Sequence, residues 1–342
     1  MLNEFRQDPV SGDWVLFATQ RAKRPGAKEK DAFYQTAEEC LFEPHKLSNQ
    51  EKPVAAYYQG KAVDISDPDA LVGAGWTTVV LPNKFPALKH GICVPAVARG
   101  PFLVAEGAGF HELVITRDHE KHFAQFTEAE TAEVLQVYLD RFKTIAADNC
   151  GEYVMIFHNH GHLAGASIYH NHSQILSMPI IPTGILKNIR GAQDYFEKTG
   201  KRVHEVLLQW ERDEQKRIIF ENEKFIVLCP FVSRTPYEMR IFPKSASAYF
   251  GEMSADDLPQ LAQALNQAIG RLDHALGNAD YNFFIHTAPP KRADAPSYDF
   301  YHWHIEIMPR FSIDAGLEFG TNVFVNPVDP DEAAEQLRNA HV

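Results

Sequence analysis

Residues 153–175 read YVMIFHNHGHLAGASIYHNHSQI, and residues 281–307 read YNFFIHTAPPKRADAPSYDFYHWHIEI. The two stretches are versions of one pattern. Tyr153–His158 aligns with Tyr281–His286 at a spacing of 128, and Tyr169–Ile175 with Tyr301–Ile307 at a spacing of 132. What precedes them repeats as well. Thr127-Glu128-Ala129-Glu130 has the form of a capping box, followed at helical spacing by Val134, Leu135, Tyr138, Phe142 and Ile145. Ser254-Ala255-Asp256-Asp257 resembles that cap 127 positions later and precedes Leu258, Leu261, Leu265, Ile269 and Leu272. Further upstream, Thr78–Leu81 with Glu112–Ile115, and Phe225–Leu228 with Glu238–Phe242, read as strand pairs. Each half thus reads strand, strand, helix, strand, and a strand carrying H-x-H. The period is too long for a solenoid. Alternating apolar segments on short turns suit an antiparallel sheet packed by helices, so the expected fold is α+β with two duplicated halves, residues 1–182 and 183–342. The polar, partly helical stretch from Ile185 to Arg217 connects them.

Composition narrows the function. The chain has 342 residues, 45% hydrophobic and 23% charged, which is enough to bury a sizeable core and excludes general disorder. Its net charge of −12 repels a phosphate backbone, so nucleic acid is not an expected partner. A small phosphorylated ligand is still allowed, because local fields can oppose the net charge. Cys40, Cys93, Cys150 and Cys229 stand far apart and form no C-x-x-C, which suggests reduced thiols in a cytoplasmic protein. The polar start MLNEFRQDP is no secretory signal, and no apolar run reaches membrane-spanning length, so no membrane association is expected.

Sixteen histidines are many for this length, and they cluster in the two repeats. Alternate residues of a strand share a face, so His170 and His172 point one way, as do His302 and His304. Such pairs admit two chemical readings beside that of satisfied core residues. They can chelate a metal through imidazole nitrogen. Alternatively, one neutral imidazole can attack phosphorus and form a covalent intermediate. Gly161 and Gly165-Ala166-Ser167 precede the first pair, and small residues let backbone amides approach an anion. Ser167 and Gln174 are then candidate donors to phosphoryl oxygens. Arg21-Ala22-Lys23-Arg24-Pro25 is either a diphosphate clamp or a solvated loop, and Pro82-Asn83-Lys84-Phe85-Pro86 is either a nucleoside seat or a plain turn.

In these residues the chain resembles the galactose-1-phosphate uridylyltransferase family of the histidine-triad superfamily. The likeness covers nearly the whole length. It begins at Arg6, Pro9, Gly12 and Trp14-Val15 and continues through Pro82–Leu88, Gly109-Phe110-His111-Glu112, Asp118-His119, Asn159 and H-x-H-x-Q. It ends with His302–Arg310, Gly316–Thr321 and Asn326-Pro327. The resemblance implies two histidine-triad-like halves and double displacement through a nucleotidyl-histidine. UMP would pass from UDP-glucose to galactose-1-phosphate. It implies His172 as nucleophile, with Gln174, Ser167 and Gly165 at the phosphates. Arg21 and Arg24 would clamp phosphates, Asn83 and Asn159 would contact the nucleoside side, and Glu318 the hexose. Relatives pair as homodimers.

The resemblance also implies metal. Relatives carry zinc on C-x-x-C plus two histidines; here Cys40-Leu41-Phe42-Glu43 replaces the second cysteine with glutamate, while His119 and His170 remain. Carboxylate oxygen is an accepted zinc ligand, so Cys40, Glu43, His119 and His170 are the expected set, with His45 as a substitute. The bland alternative is a buried thiol at Cys40. A second zinc of some relatives has lost its ligands here, at Arg202, Glu205 and Ala246. A second metal on His286, His302 and His304, with Glu306, is the remaining option; otherwise these residues belong to a vestigial repeat. His160 stands where relatives have lysine. Rival functions are an ADP-sugar phosphorylase with the same nucleophile, a metal-dependent hydrolase using both H-x-H pairs, and a silent binding protein.

Overall fold

The computed structural model describes residues 2–23, 33–65, 75–91, 94, 96–148, 151–292, 295–311 and 314–340. Arg24, Cys93 and Cys150 lie outside them. Among the described residues, eleven strands form one sheet. Its order is Ile218–Glu221, Phe225–Leu228, Met239–Pro243, His304–Pro309, Tyr281–His286, Tyr153–His160, His172–Met178, Phe110–Thr116, Thr78–Pro82, Ala55–Tyr58, Lys61–Ala62. All neighbours are antiparallel. The expected α+β class, with duplicated antiparallel halves packed by helices, is the observed one.

The halves join through the repeat itself. Tyr153–His160 pairs with Tyr281–His286, Ile156 lying opposite Ile285 and Phe157 opposite Phe284. At the repeat spacing, Ile156 corresponds to Phe284 and Phe157 to Ile285. Each residue thus faces the counterpart of its neighbour, which is the signature of a local two-fold axis. One chain therefore holds what would otherwise be a symmetric pair.

Strand alternation gives the sheet two unlike faces. Val154, Ile156, Ile175, Phe283, Ile285, Ile305 and Ile307 point to one side and belong to the main core. The helices Glu128–Ala146 and Leu258–Leu276 cover that side with the apolar stripes read from the sequence. Thr127 caps the first helix: its hydroxyl accepts from the Glu130 amide at 3.2 Å, and the Glu130 carboxylate accepts from the Thr127 amide at 2.8 Å. The second start differs. Ser254 caps only a 3-10 turn, Ala255–Asp257, and the α-helix begins at Leu258. Proline has no N–H, so Pro259 fits the first turn of a helix and not its interior.

The opposite face carries the polar residues and is covered piecemeal. Cys40, Phe42, Leu47 and Trp76 pack on Val79, Leu81, Leu113 and Ile115 of the first half. The connecting stretch is two helices, Thr183–Thr199 and Val203–Glu214, separated where Gly200 takes φ 70°. Ile185, Ile189 and Val203 of these helices pack with Tyr153 and Tyr301. Asn3–Gln7 and Trp14–Ala18 form a hairpin, and the latter strand runs parallel to Phe324–Asn326. The start of the chain therefore docks on its end. No described helix is long and apolar enough to cross a membrane.

Candidate active site

His172 opens its strand, 7% exposed, on the polar face. Its Nδ1 lies 2.9 Å from the carbonyl oxygen of His170. That carbonyl only accepts, so Nδ1 carries the proton and Nε2 keeps its lone pair. Burial outweighs this bond and holds His172 below the ordinary imidazole range, so the ring is neutral near pH 7. A neutral imidazole with a free Nε2 is what attack on phosphorus requires.

Gln174 follows two residues later on the same face. Its Oε1 stands 2.8 Å from His111 Nε2. His111 has a fixed tautomer: Nδ1 accepts the Ala87 backbone N–H at 3.0 Å, so Nε2 bears the proton and donates to Gln174. The Gln174 NH2 group is then free to donate to a ligand. His111 was quoted in the sequence only as part of a matching motif, and nothing in the local pattern signalled its contact with Gln174, 63 positions away. Asn83 stands beside them: its Oδ1 accepts the Phe85 N–H at 2.9 Å, which leaves its amide nitrogen 3.1 Å from the protonated His111 Nε2 as a second donor and not as its partner. Since Ser173 pairs with His158, the register sets Asn159 opposite His172. Asn159, Gly161, Ala166 and His170 border a cavity of about 170 Å³ beside the strand. Gly165, with φ 83°, and Ser167 lie exposed on the loop between the two strands.

His170 precedes the strand, and both H-x-H rings pack on Phe42, at 6.2 and 5.2 Å between centroids. His170 Nδ1 stands 3.5 Å from Cys40 Sγ and 3.6 Å from Glu43 Oε1, and His119 Nδ1 2.9 Å from the same Glu43 oxygen. The ligand atoms of Cys40, Glu43, His119 and His170 all lie within 4.8 Å of one another. A tetrahedral zinc with bonds of roughly 2.0–2.3 Å needs ligand separations of about 3.3–3.8 Å. The two His170 contacts fall in that range and the His119–Glu43 contact is shorter; the outer contacts suit a metal as well. His119 Nε2 meets the Gln35 carbonyl at 2.7 Å and His170 Nε2 the Thr116 carbonyl at 2.6 Å. Both Nδ1 lone pairs therefore face the cluster, as metal-bound histidines require. Glu43 Oε1 and His119 Nδ1 are buried without a hydrogen-bond partner, which a cation would satisfy. The four residues fit a metal.

The second half repeats the geometry with different chemistry. His304 Nδ1 lies 3.1 Å from the His302 carbonyl, and both rings pack on Phe242. Glu306 occupies the place of Gln174. Its carboxylate accepts from Arg234 and lies 2.7 Å from His286 Nε2. Burial opposes its ionisation, but Arg234 and Arg240 prevail and hold it well below the usual carboxylate range. The compact group here is His286, His304 and Glu306, in a cavity of about 570 Å³. His302, the third histidine of that option, stands outside this compact group. It precedes the strand and turns its ring to His204 and Phe242 instead.

Two further candidates stand elsewhere. Arg21 is exposed on the 3-10 turn Thr19–Lys23. Glu318 caps its own helix, accepting the Ala315 N–H at 3.0 Å, and lines a small cavity with Arg234 and Arg310. His158, by contrast, is a core residue beneath the site, its Nδ1 3.1 Å from Ser173 Oγ on the helical side.

The profile of a family described as a domain of unknown function, DUF4921, matches residues 104–341. The chain belongs to the DUF4921 family. This DUF4921 chain is also 28% identical to ADP-glucose phosphorylase of Arabidopsis thaliana, over 98% of its own length and 92% of that relative. It is 28% identical to galactose-1-phosphate uridylyltransferase of Thermotoga maritima, over 99% of each. The crystal structure of Arabidopsis ADP-glucose phosphorylase with bound ADP-glucose superposes with a TM-score of 0.81, covering 100% of both chains. A uridylyltransferase structure, at 23% identity, shares the fold with a TM-score of 0.74 over 98% of each chain. The likeness to galactose-1-phosphate uridylyltransferases expected from the motifs is therefore observed, over nearly the whole length of the DUF4921 chain and in its fold.

Proposed function

We propose that this chain moves UMP from UDP-glucose to galactose-1-phosphate through Nε2 of His172. The observation that carries the reading is the bond from His172 Nδ1 to the His170 carbonyl, with Gln174 aimed by His111 on the same face. Nε2 attacks the α-phosphorus, the bond to the bridging oxygen breaks, and glucose-1-phosphate leaves with the electron pair. A phosphate oxygen of galactose-1-phosphate then attacks the same phosphorus and the N–P bond breaks. Splitting one transfer into two displacements lets one site serve both sugar phosphates. Gln174 and Ser167 donate to the phosphoryl oxygens that gain charge, and Gly165 lets the backbone approach them. Asn83 and Asn159 contact the nucleoside, Arg21 and Arg24 the phosphates, and Glu318 the hexose. Zinc is the metal held by Cys40, Glu43, His119 and His170. When bound it supplies structural charge balance and locks His170, whose carbonyl orients the nucleophile. The protein works in the cytoplasm as a homodimer.

A second reading keeps His172 and changes the ligands: ADP-glucose as donor and inorganic phosphate as acceptor. The TM-score of 0.81 to an ADP-glucose phosphorylase favours it. Intact-protein mass spectrometry separates the two. Incubation with UDP-glucose or ADP-glucose, without acceptor, should add one uridylyl group from the former. A gain of one adenylyl group only would select the phosphorylase. No adduct from either, in folded protein, would sink covalent transfer and revive the metal-dependent hydrolase.

A further inference from the structure

The loop that joins the two strands of the candidate site is held from across the two-fold junction. It turns on two left-handed glycines, Gly161 at φ 84° and Gly165 at φ 83°. Its own backbone supplies two bonds, from Gly165 to the His162 carbonyl at 3.0 Å and from Ala166 to the Gly161 carbonyl at 3.1 Å. Glycine-rich backbone has much conformational freedom to lose, and two bonds are a small return for it. Two more come from second-half side chains, and a third such bond holds Asn159 at the end of the strand before the loop. Asp280 Oδ2 accepts the Leu163 N–H at 2.7 Å. Asn282 Nδ2 donates to the Ala164 carbonyl at 2.8 Å and to Asn159 Oδ1 at 2.8 Å.

These anchors are themselves well fixed. Asn282 is in register with Asn159 across the junction. The Asp280 carbonyl accepts the Arg310 N–H at 2.7 Å. Gly161 lies so close to the Asp280 carboxyl that no Cβ fits between them. The arrangement runs only partly both ways: at the repeat spacing Asp280 corresponds to Glu152, which accepts from Arg292 of the second-half loop at 3.1 Å, but the amide of Asn282 has no equivalent. At the repeat spacing the counterpart of Asn282 is Val154, whose side chain cannot form hydrogen bonds.

We infer that Asp280 and Asn282 are positioning residues for the transfer: the second half, which lacks an amide at the Gln174 position, holds the first half's phosphate loop in place. Their hydrogen bonds go to the loop and to Asn159 and not to His172 or Gln174, although Asp280 borders the same cavity as Asn159 and Gly161. Asn282 fixes Asn159, opposite His172, and the pair with Asp280 fixes the loop that carries Gly165 and Ser167. The inference rests on His172 as the nucleophile.

The test is single-turnover modification of His172 by saturating UDP-glucose and ADP-glucose, in wild type, Asn282→Ala, Asp280→Ala and Asp280→Asn. Amide exchange of residues 161–171 is followed in the same proteins. A small misplacement of reacting groups costs about 10²-fold in rate, so Asn282→Ala and Asp280→Ala should lose on that order in maximum rate. Their half-saturation should change far less, and loop amides should exchange faster. Asp280→Asn keeps an oxygen for the Leu163 N–H and should recover most of the rate, which a merely structural role would not give. If Asp280→Ala does not fold, Asn282→Ala and Asp280→Asn still decide. Wild-type rates with unchanged loop exchange in Asn282→Ala would overturn the inference alone. Absence of an adduct in wild type would overturn the His172 reading and this inference with it.

Discussion

The Nδ1–H of His172 donates to the carbonyl oxygen of His170 over 2.9 Å. His304 repeats the contact with His302 at 3.1 Å, so imidazole geometry alone does not distinguish the halves. The residue two positions on does. Gln174 offers an amide donor, whereas the ionised Glu306 would repel a phosphoryl group. The expected adduct is one nucleotidyl group per chain, mapped by peptide sequencing to His172. His172→Asn should abolish it in folded protein. Two groups per chain, or one on His304, would show that Glu306 does not block the second half.

The fixed tautomer of His111 makes a sharper expectation. Removing a donor to a developing phosphoryl charge costs about 10²–10³ in rate, so Gln174→Ala should lose that much. His111→Ala leaves the Gln174 amide free to turn and should lose a part of it. In the Gln174→Ala background, the added effect of His111→Ala should vanish, because residues acting through one another are not additive. Independent losses in the double variant would mean that His111 acts on the ligand by another route.

Metal content tests the group at Cys40. Purified protein should carry about one zinc per chain if the four ligands act as one site. Cys40→Ala combined with Glu43→Ala should release it and lower the melting temperature. The same change should slow modification of His172, because His170 links the ligand set to the nucleophile through its carbonyl. Elemental analysis and thermal unfolding read these effects separately. Full zinc retained in the double variant would place the ion elsewhere.

Much of this architecture was legible because it is written twice. The strand pairs, the Thr127 cap and the apolar stripe of each helix are local patterns, and local patterns survive in sequence. The way the halves meet is not local. Pairing of Ile156 with Ile285 depends on two edges more than a hundred residues apart, and neither strand records its partner. The α-helix begins at Leu258, after a single 3-10 turn capped by Ser254, because Pro259 belongs in a helix's first turn and not its interior. The same division runs through the site. His172, Gln174 and the Cys40 group stand in short motifs. His111, Asp280 and Asn282 acquire their roles only from tertiary contacts. Arg21 read as a diphosphate clamp or a solvated loop and Glu318 was assigned through the resemblance; in the chain one sits on a surface turn and the other at a helix start.

The buried histidines set an acid limit on stability. His158 is held well below the ordinary imidazole value by burial first and then by repulsion from His160 and His172. His204 is lowered likewise by burial, then by His302 and Arg240. His122 is pushed down to about 3, by burial and by His160, whose ring lies tilted against it at 4.2 Å between centroids. In the unfolded chain each titrates near 6.5. Below that pH the unfolded state binds protons that the folded state refuses, so stability falls as pH falls. Each such histidine adds about 1.4 kcal/mol per pH unit to the slope until its folded value is reached. Urea unfolding at pH 7, 6 and 5 should therefore show a midpoint that drops steeply below pH 6. His204→Gln should flatten the slope by about one histidine's share, whatever it does to stability at pH 7. A slope unchanged in that variant would mean that His204 is already protonated in the folded protein, paired with an anion inside the cavity that it lines with His304 and Glu306.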